Sequence, residues 1–476
     1  MNEMAQSRPR NRIFYGWILV AAIWLIVVVS SGIFISFGVF LNPLLESFGW
    51  TRATVSFAYS IFMLTGGIGT LALGGLVERY SIRKILLIGG LIHAAGIMLT
   101  ATTRELWQLY LFYGVLASLG RSTFNISYVT LVNRWFQDKR GIAMGLIMSG
   151  QGMGPFLFSP LATYLILTYS WQAAFFVIGL IMGVGIVVAT VFIRNHPEEM
   201  GQHALGSTTS ATSRPTATQP SKRAAPRTRQ VWGQVLRLEN FWLLSLTHLF
   251  CCICHSIPLV HVAAFANVAG LSALASAWLL GTMGLTSFVG RLYWGFFADK
   301  YGSRFALMLT TLMQAAFMLW LINAADPIVF FLFAVCWGFG YAGVTMQYGI
   351  IAKDVFPTDL RGPAFAGVSC AAMIGMAAGG YLGGLLYDIS HTYITAWWVS
   401  LFTGVIAALI AMEMARKAEH EKLMGAATAE GIGTLSDHAT EMAVQSKITQ
   451  SSMLAPRKPH ALKEGVFHGH ARGAGK

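Results

Sequence analysis

The stretch "LTSFVGRLYWGFFADKYGSR", Leu285 to Arg304, decides the fold. It closes an almost wholly apolar run that begins at Ala273, yet Arg291 lies inside that run and Asp299, Lys300 and Arg304 crowd its end. A bilayer accommodates such a run, because a spanning helix needs roughly 20 mostly apolar residues. The stretch therefore reads as a membrane helix with a charged exit, and Arg291 as a cation placed at membrane depth.

The rest of the chain repeats the pattern. Of 476 residues, 55% are hydrophobic and only 11% charged, where a soluble domain carries about 25% charged residues. Twelve apolar stretches are predicted as helices α1 to α12: 15–42, 54–76, 85–102, 106–132, 141–168, 171–192, 241–266, 273–298, 305–323, 328–352, 364–387 and 395–414. Barrel strands would alternate in and out over about ten residues, and these runs are twice that length. The expected class is an all-α polytopic membrane protein with twelve transmembrane helices in two pseudo-symmetric six-helix halves.

Charge sets the expected orientation, since cytoplasmic loops collect Lys and Arg. With the N-terminus inside, the inside segments hold 29 of the 33 Lys and Arg residues, and the outside loops hold only Arg52 and Arg104. The remaining two, Arg121 and Arg291, fall within helices. Both termini are expected in the cytoplasm, and the net charge of +13 then reports orientation in the bilayer and needs no nucleic acid. The apolar run of α1 is much longer than the 7–15 residues of a signal peptide, so α1 is expected to be retained. Five cysteines, Cys251, Cys252, Cys254, Cys336 and Cys370, all lie in predicted helices, which implies no disulfide framework.

The expected domains are a cytoplasmic N-terminus (1–14), a first half (15–195), a linker (196–236), a second half (237–415) and a cytoplasmic tail (416–476). The linker and tail are polar enough that disorder is expected in both. The halves read as repeats. "GGLVERYSIRK" (74–84) parallels "GFFADKYGSR" (295–304), and "RWFQDKRGIAMG" (134–145) parallels "DVFPTDLRGPAFAG" (354–367). Repeated halves with a substrate near the midplane are a common transporter plan.

On these motifs the chain resembles the major facilitator superfamily. The resemblance implies that the loop charges hold helix ends together and gate access: Glu78, Arg79 and Arg83 in the first copy (with Lys84), and Asp299, Lys300 and Arg304 in the second. Four separated stretches, "FYGWILVAA" (14–22), "FGVFLNPLLESFGWTRATVSFAYS" (37–60), "RWFQDKRGIAMGLIMSGQGMGPFLFSPL" (134–161) and "IPLVHVAAFANVAGLSALASAWLLG" (257–281), are similar to the monocarboxylate and oxalate/formate transporter group. That group moves small organic anions by alternating access, with a carboxylate-binding arginine at the position of Arg291. The chain departs from it in three places. Ser287 stands where proton-coupled animal members have Asp, Ile35 stands near a helix-1 Lys, and α11 has no Lys to match that of the oxalate exchanger.

The residues support an anion independently. Arg291 lies about 27 Å into its helix from Ala273 and about 12 Å from Asp299, at 1.5 Å per residue. A charge at membrane depth costs at least about 2.5–3.5 kcal/mol and is normally paired or faces a cavity. No predicted span carries an Asp or Glu away from its ends, so the partner of Arg291 is either a helix carbonyl, an end carboxylate such as Asp299, or a cargo carboxylate. Arg121, Asn125 and Tyr128 share one face of α4, either as a helix–helix lock or as cavity lining. In α7, Ser245, His248, Cys252 and His255 share a face. This is a cavity-facing stripe or a metal site, and one helix face offers fewer than the four ligands that structural zinc takes. Because imidazole titrates near neutrality, His248 and His255 are the candidates for proton coupling. Tyr348, with Tyr341 and Thr345, forms a further stripe in α10 that contacts substrate or packs.

The expected protein is thus a secondary active transporter of a small organic anion, with a monocarboxylate as the leading cargo. Its expected substrate-binding residues are Arg291, Arg121, Asn125, Tyr128, His255 and Tyr348. Its expected partners are that anion, a coupled proton or counter-anion, and the lipid of a bacterial inner (plasma) membrane. No Gly-x4-Gly-Lys-Ser/Thr motif is present, and no cofactor, metal or enzymatic activity is expected. The alternatives are a larger organic solute such as an aromatic acid, dicarboxylate or vitamin, a solute sensor, or an enzyme built on the α7 His/Cys cluster.

Overall fold

The computed structural model of the chain describes residues 14–73, 79–206, 228–324 and 326–429. Among them, eleven helices are long and apolar enough to cross a membrane: α1 Tyr15–Phe48, α2 Arg52–Leu73, α3 Ile82–Thr100, α5 Arg140–Thr168, α6 Trp171–Val191, α7 Glu239–Val268, α8 Ala273–Tyr301, α9 Ser303–Ile322, α10 Pro327–Val355, α11 Arg361–Ser390 and α12, which starts at Ile394. The twelfth, α4 (106–135), falls short because its second half, Ser118–Trp135, carries Arg121, Asn125 and several hydroxyls. Its apolar first half contains a π-helical stretch, Tyr110–Ala117.

Local chemistry sets the helix ends. The Ser170 and Ser272 hydroxyls accept the N–H groups of Ala173 and Ala275 at the starts of α6 and α8. At α10 the Asp326 carboxylate accepts the Ile328 N–H, and Pro327 occupies the first turn, where no donor is needed. α1 is interrupted at Ser36, whose hydroxyl lies 2.7 Å from that of Ser159 on α5. Large apolar side chains such as Ile68, Leu167, Phe296 and Ile328 are exposed on the outside of the bundle, where hydrocarbon is the natural solvent.

The halves α1–α6 and α7–α12 meet along α5–α8, α2–α11 and α1–α7. These contacts lie at mid-depth and toward the face where α1 ends and α2 begins, called here the far face. On it Asn42 bonds Asn267 at 3.2 Å, and the Asp388 carboxylate accepts the Arg52 and Ala53 N–H groups at 3.1 and 2.7 Å. On the opposite face, which carries the start of α1, Gly141, Gly145, Gly295 and Gly362 have nothing within 4 Å of where a side chain would begin. Among the described residues the hydrogen bonds between the halves lie at mid-depth and on the far face.

At mid-depth α5 and α8 touch backbone to backbone. A methyl group on Gly152 would lie 2.5 Å from the Gly284 carbonyl oxygen and 2.8 Å from the Phe288 nitrogen. Gly152→Val is expected to destabilise the closed far face by about 1–3 kcal/mol, the usual scale of overpacking. A fall of several degrees in the melting temperature of the detergent-solubilised protein would report this.

Two segments differ from the expectation of disorder. The start of the 196–236 linker is folded: Leu205 accepts the Gln137 and Asp138 N–H groups and donates to the Trp135 carbonyl, and Gln202 accepts the Tyr15 N–H. Its end forms a short helix, Thr228–Val235, with Val235 fully buried. The backbone donors of the α4–α5 loop and these isolated apolar residues supply the ordering that average composition hides; 207–227 lie outside the described residues. The 416–476 tail begins as helix, because α12 runs to Ala429 through good helix formers; 430–476 lie outside the described residues, as do 1–13.

Candidate substrate site

Arg291 projects from α8 into the contact with α5 and is only 3% exposed. Its Nη1 donates to the Met148 carbonyl at 3.1 Å and its Nη2 to Gln151 Oε1 at 3.3 Å. Both acceptors lie in the other half of the protein. Of the alternatives open from sequence, a helix carbonyl is engaged and Asp299 is not. Neither acceptor is charged, and a guanidinium has five N–H donors.

Beside Arg291, toward the far face, lies a small cavity of about 10 Å³, room for about one water. Its lining draws on both halves and includes Ile35, Gln151, Ser287, Trp337 and Tyr341. The Ser287 hydroxyl and Trp337 Nε1 are buried and make no hydrogen bond among the described residues. The cavity walls thus combine apolar side chains with a few converging polar groups beside a guanidinium. Gln151 and Trp337 were not singled out from sequence, and only their isolation in apolar helices marks them.

Arg121 behaves differently. Its guanidinium lies over the Phe34 ring, 4.6 Å from the centroid, and 5.9 Å from that of Phe62. Among the described residues its Nε has no hydrogen-bond partner. Tyr128 is buried with an unpartnered hydroxyl, whereas Asn125 is exposed.

The α7 stripe splits. His255 Nδ1 lies 3.8 Å from Cys251 Sγ, its Nε2 3.0 Å from Met376 Sδ, and its ring meets the edge of Tyr341 at 5.1 Å. It therefore adjoins the cavity wall through Tyr341. His248 stacks on Tyr348 at 3.6 Å, two turns of α10 nearer the terminus face, so these two form a separate pair outside the cavity lining. Among the described residues no three His, Cys, Asp or Glu side chains are grouped to hold a metal.

The loop-motif residues also divide. Arg79, Arg83, Asp299 and Lys300 are exposed. The Arg83 backbone N–H bonds Asn195, Lys300 lies over the Tyr301 ring, and Arg304 donates to the Met414 carbonyl at 3.4 Å. Glu78 lies outside the described residues. A further tie between the halves, at the far face, runs through Arg52 and Asp388. Besides its bonds to Asp388, Arg52 donates to Asn42 at 2.9 Å and lies 4.2 Å over the Tyr387 ring.

Comparison with known proteins agrees with this architecture. The family model described as Major Facilitator Superfamily matches residues 23–346 and 270–458. The chain is 23% identical over 420 residues to an uncharacterized MFS-type transporter, YcxA, of Bacillus subtilis (strain 168), covering 85% of this chain and 95% of that one. It is 25% identical over 400 residues to monocarboxylate transporter 13 of Bos taurus, covering 81% and 86%. Among solved structures it is similar in fold to a bacterial homolog of the human lysosomal transporter Spinster in an inward-facing, unoccupied conformation (TM-score 0.66, 14% identity, 86% of this chain and 98% of that one). A D-xylose-proton symporter is as close in fold (TM-score 0.66, 15% identity, 83% and 97%). With its apolar helices, its two six-helix halves and a family match along most of its length, the chain is an integral membrane protein that belongs to the major facilitator superfamily of transporters and is not an enzyme.

Proposed function

We propose that the protein is a secondary active transporter of a small organic anion whose carboxylate is received by Arg291. The observation that carries this reading is the bonding of Arg291: a buried guanidinium tied only to a carbonyl and an amide of the opposite half. A carboxylate offers it two charged acceptors in the fork geometry that arginine matches best. Cargo would then replace the links to Met148 and Gln151, so binding itself alters the coupling between the halves. With both termini in the cytoplasm of a bacterial inner membrane, the far face is external, and its ties between the halves hold the outer side closed. The loop charges Glu78, Arg79, Arg83, Asp299, Lys300 and Arg304 would lie at the inner gate.

The relatives named as monocarboxylate transporters make acids with one carboxylate the first class to test. Proteoliposomes containing the purified protein should accumulate at least one labelled carboxylate saturably, and unlabelled acid should compete. Uptake no greater than that of empty liposomes across a panel of short-chain, hydroxy, keto, aromatic and dicarboxylic acids would contradict the proposal.

His255 is the imidazole that adjoins the cavity, through Tyr341, and we assign it, ahead of His248, to proton coupling. His255→Gln is expected to abolish the stimulation of uptake by an inward pH gradient. Stimulation at the wild-type level would remove His255 from that role.

A further inference from the structure

We propose that Arg121, with the phenols of Tyr113 and Tyr128, forms a second anion-receiving subsite, so that the cargo is an organic acid with two anionic groups, one held at each guanidinium. The inference rests on the reading of Arg291 above and narrows it.

Arg121 is unlike Arg291 in its bonding. Arg291 has two helix acceptors, whereas Arg121 makes no hydrogen bond among the described residues and rests only on the faces of Phe34 and Phe62. A helix–helix lock would show an acceptor on a neighbouring helix. Its polar neighbours include phenols, which can donate to an oxyanion. Tyr113 and Tyr128 are 0% and 4% exposed, and neither hydroxyl has a partner among the described residues; Tyr113 packs at 5.1 Å on Phe62, one of the rings under the guanidinium, and Tyr128 follows Arg121 two turns along the same helix. Phenol donors beside an unengaged guanidinium suit an oxyanion. They are a poor setting for a cation or for an apolar group, which would leave buried polar atoms unpaired.

The two arginines share one central region. Ile35 lines the cavity beside Arg291, and the ring of the adjacent Phe34 lies under the Arg121 guanidinium. Tyr59 stacks on the same Phe34 ring at 5.5 Å. No predicted transmembrane span carries an Asp or Glu away from its ends. A cargo with one carboxylate would leave one buried positive charge without an anion, and a dianion matches both. Because Arg121 stands in the first half and Arg291 in the second, such a cargo would also bridge the halves.

The test compares succinate and glutarate with their monomethyl esters, which have nearly the same shape and one charge fewer, by equilibrium binding to the purified full-length protein. The wild type is expected to prefer the better diacid over its half-ester by at least tenfold. Arg121→Gln should bring that ratio near one, and Tyr128→Phe, which removes only a hydroxyl, should lower it severalfold at an unchanged melting temperature. Arg291→Gln should weaken both members of each pair. A half-ester bound as tightly as its diacid by the wild type, or a preference that survives Arg121→Gln, would overturn the second subsite while leaving the Arg291 reading intact. Binding of both ligands that is indifferent to Arg291→Gln would overturn the Arg291 reading instead, and no binding of either class would overturn both.

Discussion

Arg291→Ala is expected to lower the initial rate of cargo uptake into proteoliposomes by at least about 100-fold. Hydrogen bonds to a charged group contribute about 1.5–3 kcal/mol, or roughly 10- to 150-fold, and the variant also loses the positive field that draws an anion into the cavity. Arg291→Lys keeps the charge but loses the planar fork, so it should retain intermediate activity, about tenfold below wild type. The fold should survive both changes. A guanidinium at membrane depth is itself costly to insert, and its two acceptors are a helix carbonyl and a side-chain amide. We therefore expect the melting temperature of Arg291→Ala to stay within about 5 °C of wild type, because what is removed is an already costly buried charge. A loss of uptake with that stability retained separates failed binding from failed folding.

The second large effect is expected at the far face. Asp388, on α11, caps the first turn of α2 in the other half by accepting the N–H groups of Arg52 and Ala53. A helix cap contributes about 0.5–2 kcal/mol, and a carboxylate at a helix N-terminus adds to it through the helix dipole. Removing about 1–2 kcal/mol changes a two-state population by roughly 5- to 30-fold. Asp388→Ala should therefore shift the protein toward far-face opening, with Asp388→Asn showing a smaller shift because one neutral acceptor remains. Spin labels at the exposed positions Glu46 on α1 and Val268 on α7, in a chain with Cys336 and Cys370 replaced, should gain a longer-distance population in Asp388→Ala. An identical distance distribution in the variant and its parent would rule out a latch at this carboxylate.

The transmembrane plan was legible because a bilayer imposes a length on every apolar run. α8, read as 273–298, is found at Ala273–Tyr301. Where the reading drifted, the determinant was not hydropathy. α12 was expected to stop at 414, yet helix propensity carries it on to Ala429. α1 is broken at Ser36 by a contact with Ser159, 123 residues away in sequence. The site follows the same rule. Arg291 and Arg121 stand out as charges in apolar helices; Arg291 is buried against the opposite half, and Arg121 is half-buried over aromatic rings. Gln151, whose amide holds Arg291 from 140 residues away, and Asp388, which sequence places only at a helix end, acquire their roles from how the halves meet. Tyr348 shares a helix stripe with Tyr341 but pairs with His248, because two turns of helix carry it past the level of the cavity.

The central claim is that Arg291 receives the carboxylate, and equilibrium binding tests it without the complication of gating. Labelled acid selected by the uptake panel would be titrated onto purified wild-type protein and Arg291→Gln at matched melting temperature. The account predicts saturable binding to the wild type, competed by unlabelled acid, and affinity at least about 100-fold weaker in the variant. Equal affinity in the two proteins would contradict it.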